Sequence, residues 1–301
     1  MTSFLFKILI GMLFFFVIVY IVKFYFTRSH EKTLAVGKEE RTYYEYKPFS
    51  KTAKMPVVIM IHGYGDSPRL MELYSGMNTK ARMEGFTVIY PTGLSGDTAK
   101  KSWNTGFCCG YSYDKSIDDV AFIEALVDEL RNRTDVDPNR IYVAGFSNGG
   151  MLTHALAQSL TGKVAALAVS SGAIGNKNYT VPSPRTPIPV ILLHGTDDTV
   201  VPIDGKKSSG GYTYKTLKEA ESFWVKNNSC TSEPLTEETE QYVRTAYSCT
   251  NPVVTYTIKD RGHFWFGGLA EIPHGNFGDN FNNTDIIWNF FNTVSLHTDK
   301  K

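Results

Sequence analysis

The chain has 301 residues, 42% of them hydrophobic and 20% charged, enough apolar material for a sizeable core in at most two domains. With 31 Lys and Arg against 30 Asp and Glu, the formal net charge is +1, and no basic stripe is present. This balance excludes nucleic-acid binding through bulk charge, and no internal repeat or low-complexity tract points to a solenoid or a disordered chain.

Residues 4–26 are almost wholly apolar, interrupted only by Lys7 and Lys23. As a helix this run would reach about 34 Å at about 1.5 Å per residue, enough to cross a bilayer. Residues 8–22 alone are nearer the length of a secretory signal core. No small-x-small cleavage site follows, because Phe24, Tyr25 and Phe26 are bulky. Residues 1–30 are therefore expected to form a signal anchor or signal peptide with a membrane as partner, residues 31–40 a charged tether, and residues 41–301 one folded domain. Lys23, Arg28 and Lys32 after the run would place that domain in the cytoplasm by the positive-inside rule. Four N-x-S/T sequons, at Asn132, Asn178, Asn227 and Asn282, point the other way, to an extracellular or cell-surface location.

Along the remainder, RTYYEYKP (41–48) alternates as a strand should. MPVVIMIHGYGD (55–66) is a buried strand running into a glycine turn, and residues 69–85 carry helical periodicity up to Gly85. FTVIYP (86–91) is another buried strand. An irregular segment, 92–114, follows, rich in Gly, Ser and aromatics. Residues 116–133 form an amphipathic helix with Ser116 or Asp118 as cap. RIYVAGF (140–146) predicts a strand and residues 148–160 a helix. VAALAVSSGA and IPVILLHGTDD predict two further buried strands, and a helix is expected from about Thr216. VVTYTIKDRGH (253–263) reads as a strand, and NTDIIWNFFNTV (283–294) as a closing helix. Roughly seven apolar strands alternating with helices imply an α/β fold, a doubly wound, mostly parallel sheet covered on both faces, with its site beyond the strands' carboxyl ends.

Four cysteines are present: Cys108, Cys109, Cys230 and Cys249. Their spacing lacks a Cys/His ligand pattern, so no metal is expected. Cys230 and Cys249 bracket a polar, exposed excursion and are expected to pair as a disulfide, which implies an oxidising compartment. The partners of Cys108 and Cys109 stay open.

Gly145-Phe146-Ser147-Asn148-Gly149 matches G-x-S-x-G between a strand and a helix, the context in which a serine is held exposed on a sharp turn. Such a hydroxyl needs a base, and the base needs a carboxylate. In chain order, HGTDD supplies Asp197 and Asp198 and RGH supplies His263, each after a strand. The spacing favours Asp198 as the acid, leaving Asp197 to a solvated turn. His62 and His194 are expected to orient loops, and His154 lies on the helix after Ser147. His30, His274 and His297 have no supporting strand. An oxyanion would take N–H groups from Asn148 and from the HGYGD loop, with Tyr64 preferred and Gly65 next. Asn148 is expected to act through its backbone alone.

These motifs resemble the polyhydroxybutyrate depolymerase and feruloyl esterase group of α/β-hydrolases. The likeness runs through RTYYEYKP, VVIMIHGYGDSP, GFTVIYP, SWNTGFCCG, DDVAFIEALVDEL, VDPNRIYVAGFSNGGML, PVILLHGTDDTVVP and GHFWFGG. The resemblance implies an α/β-hydrolase catalytic domain over residues 41–301. It also implies a secreted, cofactor-independent serine esterase acting on polymers or on aryl esters of plant cell-wall polysaccharide. On it, Ser147 maps to the nucleophile, Asp198 to the acid and His263 to the base. Trp103, in the family's Trp-rich insert, and Trp265 become candidate substrate contacts, with Phe107, Tyr111 and Tyr113 as further lining of an apolar acyl pocket. The family's Gly-His-Thr-Trp-Pro-Gly stands here as Gly-His-Phe-Trp-Phe-Gly, so Phe264 and Phe266 bear on specificity. A polyester depolymerase or a serine peptidase on the same fold is the alternative, and an inactive membrane-anchored binding module is the remoter one.

Overall fold

A computed structural model describes residues 28–49, 54–268 and 281–296. The apolar N-terminal run, His274 and His297 lie outside the described residues. Among the described residues no helix is long and apolar enough to cross a membrane.

The chain opens with strands β1 (His30–Val36), β2 (Glu39–Tyr46) and β3 (Met55–Ile61), then helices α1 (Pro68–Ser75) and α2 (Met77–Glu84) and strand β4 (Thr87–Pro91). A short helix α3 (Gly110–Asp114) lies inside the irregular segment, before α4 (Asp119–Asn132), β5 (Val136–Phe146), α5 (Asn148–Ala155) and β6 (Ala166–Ser170). A two-residue ladder, β7 (Gly175–Asn176) with β8 (Tyr179–Thr180), precedes β9 (Val190–Gly195) and α6 (Leu217–Asn227). The chain continues through β10 (Leu235–Glu238), β11 (Tyr242–Tyr247), β12 (Val253–Ile258) and α7 (Asn283–Phe291).

Ten of these strands form one sheet in the order β1-β2-β4-β3-β5-β6-β9-β12-β11-β10. The six central strands, β4 to β12, run parallel, and antiparallel pairs close both edges. Strand β3 shows why its sequence is continuously apolar. Val57, Ile59 and Ile61 face a core built with Phe122 and Leu126 of α4, Leu152 of α5 and Trp224 of α6. Val58 and Met60 face the opposite core, with Met71 of α1, Ala81 of α2 and Trp288 and Phe291 of α7. Successive side chains point to opposite faces, so a strand covered on both sides must be apolar at every position.

The helix termini follow their side-chain signals. Asp118, not Ser116, caps α4 by accepting from the Ala121 N–H at 2.9 Å. At α6, Thr216 and Glu219 form a reciprocal capping box, satisfying two otherwise unpaired donors. Residues 69–85 differ from the single helix expected. The chain passes through the left-handed conformation at Gly76 (φ 64°) and divides into α1 and α2.

Two further corrections concern the edges. Residues 31–40 are not a tether: they form most of β1 and the start of β2, paired from His30↔Glu45 to Val36↔Glu39. Leu34 and Val36 pack against the core under α4, while the exposed Glu31 and Lys32 ahead of them disguise the strand. The polar excursion between Cys230 and Cys249 contains the β10–β11 hairpin, whose outer strand is exposed at all four positions. An edge strand with one partner and no buried face leaves little apolar alternation to read.

Cys230 and Cys249 are disulfide-bonded, with Cα atoms 5.2 Å apart, and Cys108 and Cys109 are bonded to each other. Ser29, just before β1, is clasped by α1. Its N–H and hydroxyl donate to the two oxygens of Glu72 at 2.8 and 2.6 Å, and its carbonyl accepts from Arg69 at 2.9 Å.

Candidate active site

Strand β5 delivers Ser147 to the start of α5 with φ 54° and ψ −121°, a conformation that costs a non-glycine residue energy and persists only where the surroundings impose it. Here they do. A Cβ at Gly145 would collide with the Gly149 carbonyl and the Thr153 hydroxyl, and one at Gly149 with the carbonyls of Ile61 and His62. The two glycines let α5 start against β3. The Ser147 N–H is committed to Ser170 O at 2.9 Å, so the residue is locked while its Oγ points outward.

The turn after β9 carries Asp198, and the turn after β12 carries His263. His263 Nε2 lies 2.8 Å from Ser147 Oγ, and His263 Nδ1 lies 2.7 Å from Asp198 Oδ2. Asp198 is buried, and its other oxygen accepts the N–H groups of Val200 and Val201 at 2.9 and 2.7 Å. Burial pushes its carboxyl up, but hydrogen bonds from His194 and His263 outweigh that effect and hold it well below the usual carboxylate range. It is therefore ionised and acceptor-only, which requires the proton of His263 on Nδ1 and leaves the Nε2 lone pair facing the serine. Asp197 is exposed and accepts from its neighbour Thr196.

The HGYGD loop lies against the turn: a Cβ at Gly63 would sit 3.3 Å from Ser147 Cβ. Gly65 N–H is bonded to Lys101 O at 2.8 Å, which removes it as a donor to anything else. The Tyr64 and Asn148 N–H groups bind no acceptor among the described residues. His62 behaves as a loop anchor. Its Nε2 accepts from Gly93 N–H at 3.1 Å and its Nδ1–H donates to Gly63 O at 2.8 Å. Burial pulls its pKa down to about 4, so it stays neutral.

The side chain of Asn148, expected to be idle, is a clamp. Its Oδ1 accepts from Trp103 N–H at 2.8 Å and its Nδ2 donates to Trp103 O at 3.1 Å. Trp103 in turn donates its indole N–H to His62 O at 2.9 Å. The indole is fully buried and lies outside the cavity. Trp103 is thus a brace between the two loops rather than a substrate contact. Trp265 is also core, donating to Thr284 Oγ1 at 3.0 Å, and Phe266 is fully buried, edge-on to Phe281. The insert is fixed from below by Asp119, which pairs with Arg41 at 2.7 Å and accepts from Asn104 N–H at 2.8 Å.

A cavity of about 540 Å³ opens over Ser147. Phe107 and Tyr113 line it as expected from the insert, whereas Tyr111 does not. Tyr212 and Tyr214 also line it, as do Val200 and the disulfide-bonded Cys108 and Cys109. The two tyrosines come from residues 205–216, where the only trace in the sequence is the tyrosine alternation after paired glycines. Burial, with Tyr212 and Asp198 nearby, pushes the Tyr214 hydroxyl up to about 12, so it stays neutral. Among the described residues, Asp114 is the one charged residue of the lining. Among the described residues no group of three or more His, Cys, Asp or Glu could hold a metal ion.

Residues 49–235 match the model of the phospholipase/carboxylesterase family. The chain belongs to this family. As a phospholipase/carboxylesterase family member it has the α/β-hydrolase fold, and its relatives include the feruloyl esterase and depolymerase group to which its motifs pointed. It is 27% identical over 161 residues to a bifunctional acetylxylan esterase/xylanase of Neocallimastix patriciarum, covering 54% of this chain and 22% of that protein. It is 30% identical over 192 residues to feruloyl esterase B of Piromyces equi, covering 62% and 35%. With poly(3-hydroxyalkanoate) depolymerase C of Paucimonas lemoignei it shares 26% over 218 residues, covering 71% and 51%. The family member thus spans less than two thirds of the length of these relatives. Among solved structures, acetyl xylan esterase from Aspergillus awamori superposes with a TM-score of 0.57 at 17% identity, covering 83% of this chain and 99% of the other, a likeness of fold.

Proposed function

We propose that the protein is a serine carboxylic-ester hydrolase that works through an acyl-enzyme. The observation that carries this reading is the unbroken relay from Asp198 through His263 to Ser147, with links of 2.7 and 2.8 Å. His263 Nε2 takes the Ser147 proton as Oγ attacks the ester carbonyl. Asp198 holds the tautomer and stabilises the imidazolium that forms. The N–H groups of Tyr64 and Asn148 receive the developing oxyanion. His263 returns its proton to the leaving alcohol, and water, deprotonated by the same base, releases the acid. No cofactor enters this sequence.

For the substrate we propose feruloyl-type or related esters of plant cell-wall polysaccharide. The support is the relatives named acetylxylan and feruloyl esterases and the aromatic lining supplied by Phe107, Tyr113, Tyr212 and Tyr214. A polyester of hydroxyalkanoates is the second reading, favoured by the depolymerase that matches 71% of the chain. We place the domain outside the cell, held through the apolar residues 4–26 or released after them. Alkaline extraction of membranes from expressing cells separates anchor from released enzyme.

The experiment is fluorophosphonate labelling of the full chain, followed by a panel of methyl ferulate, 4-nitrophenyl acetate, oligomeric 3-hydroxybutyrate and a peptide anilide. Labelling should be lost in Ser147→Ala. Turnover of the anilide alone would overturn the esterase reading.

A further inference from the structure

We propose that His194 is a positioning residue of this site, a second imidazole that grips Asp198 and sets how firmly that carboxylate holds His263. This rests on the serine-hydrolase reading above. His194 closes β9 and is buried, at 3% exposure. Its Nε2 lies 3.1 Å from Asp198 Oδ2, the oxygen that His263 Nδ1 also reaches at 2.7 Å. The same Nε2 lies 2.8 Å from Val201 O. A carbonyl oxygen can only accept, so Nε2 carries a proton and donates to both partners. His194 does not line the cavity and does not touch Ser147, so it acts through Asp198.

The consequence follows from the donor count. Oδ1 is occupied by the Val200 and Val201 amides and Oδ2 by two imidazoles. A carboxylate oxygen shared by two donors is less basic toward either. Removing the His194 donor leaves Oδ2 to His263 alone and strengthens its hold on the protonated base. It also frees Val201 O, loosening the turn that carries Asp198.

Among the described residues, the other ionisable groups around this cluster do not replace that donor. His154, on α5, is pulled by burial to about 3, and Tyr214 is pushed by burial to about 12. Both therefore stay neutral across the working range. Asp197 accepts from Thr196, and its N–H is bonded to Arg261 O at 2.9 Å. Asp260 N–H donates to Thr196 Oγ1. Neither acid can donate to Asp198.

The test is the pH profile of kcat/KM for 4-nitrophenyl acetate with the full chain. His194→Phe removes the donor and keeps the ring volume; His194→Gln keeps an N–H at the same reach. The acid limb should move up by about half to one pH unit in His194→Phe, the scale of one hydrogen bond, and stay near the parent in His194→Gln. Equal losses of kcat in both variants, with the limb unmoved, would overturn the proposal. If His194→Phe does not fold, spectra of the parent chain with 15N-labelled histidine decide. The His194 signal, assigned by its loss in His194→Gln, should be Nε2-protonated and should shift in Asp198→Asn. An unprotonated Nε2 would refute the role. Residual activity in Ser147→Ala would instead bring down the wider serine reading.

Discussion

Asn148→Ala tests the brace most directly, because it leaves the backbone N–H of residue 148 in place and removes only the clamp. Both Trp103 backbone groups would lose their partner at a fully buried residue. At about 1–2 kcal/mol for each buried group left unmet, the loss of stability should be about 2–4 kcal/mol. The catalytic effect has a geometric origin. Trp103 is bonded to Asn148 through its backbone and to His62 O through its indole, so it spaces the two loops whose N–H groups would meet the oxyanion. A shift of about 1 Å in such a site costs up to about 100-fold. The expected fall in kcat is therefore about 10- to 100-fold, with KM changed less. Urea unfolding gives the first quantity and hydrolysis of 4-nitrophenyl acetate the second. A stability change under about 0.5 kcal/mol with unchanged kcat would show that the clamp is idle and that the backbone alone matters.

Other expectations follow from the same contacts. Arg41→Met leaves Asp119 buried without its cation and should destabilise the protein by about 3–5 kcal/mol, read by urea unfolding; a loss within the range of surface substitutions would refute the pairing as a support of the insert. Asp198→Asn should lower kcat by about 10³- to 10⁴-fold, whereas Asp197→Asn should leave it near the parent; the reverse order would reassign the acid. Because the Asp198 carboxyl is held below its unfolded value, its contribution to stability is present above about pH 4 and is lost as pH falls through the lower folded value. Asp198→Asn should therefore flatten the fall of unfolding free energy below about pH 4, and an unchanged slope would contradict the depressed value. Cys230→Ser with Cys249→Ser opens a 19-residue separation and should cost about 3 kcal/mol by loop-closure entropy, seen as a lower urea midpoint.

Much of the site was legible because its residues sit where strands end. Apolar runs marked β3, β9 and the last half of β5, and the alternating VVTYTI marked β12, so the polar and small residues just past each strand stood out. Asp198 was separable from Asp197 by spacing, and the geometry gives the reason: one is enclosed by four donors and the other is solvated. What stayed hidden was whatever depends on contact between distant segments. Nothing in the sequence around Asn148 indicates that its amide meets a backbone 45 positions earlier. Trp103 and Trp265 read as binding residues because aromatics near a motif carry no mark of which way they face. The edge strands were missed for the opposite reason: β1 and β10 bury so little that their patterns resemble solvated chain.

The clasp on Ser29 has a mechanical consequence. Strand β1 is at the edge of the sheet, and its first rung, His30↔Glu45, is the rung nearest residue 28. A force applied at residue 28 without the clasp would open β1 from β2 one rung at a time, the weakest direction in which a ladder can be loaded. Glu72 and Arg69 hold the residue just ahead of that rung by its N–H, hydroxyl and carbonyl together. A pull must therefore break these bonds in parallel before the first rung feels it. The load passes into α1 and the core beneath it, and the zipper stays shut.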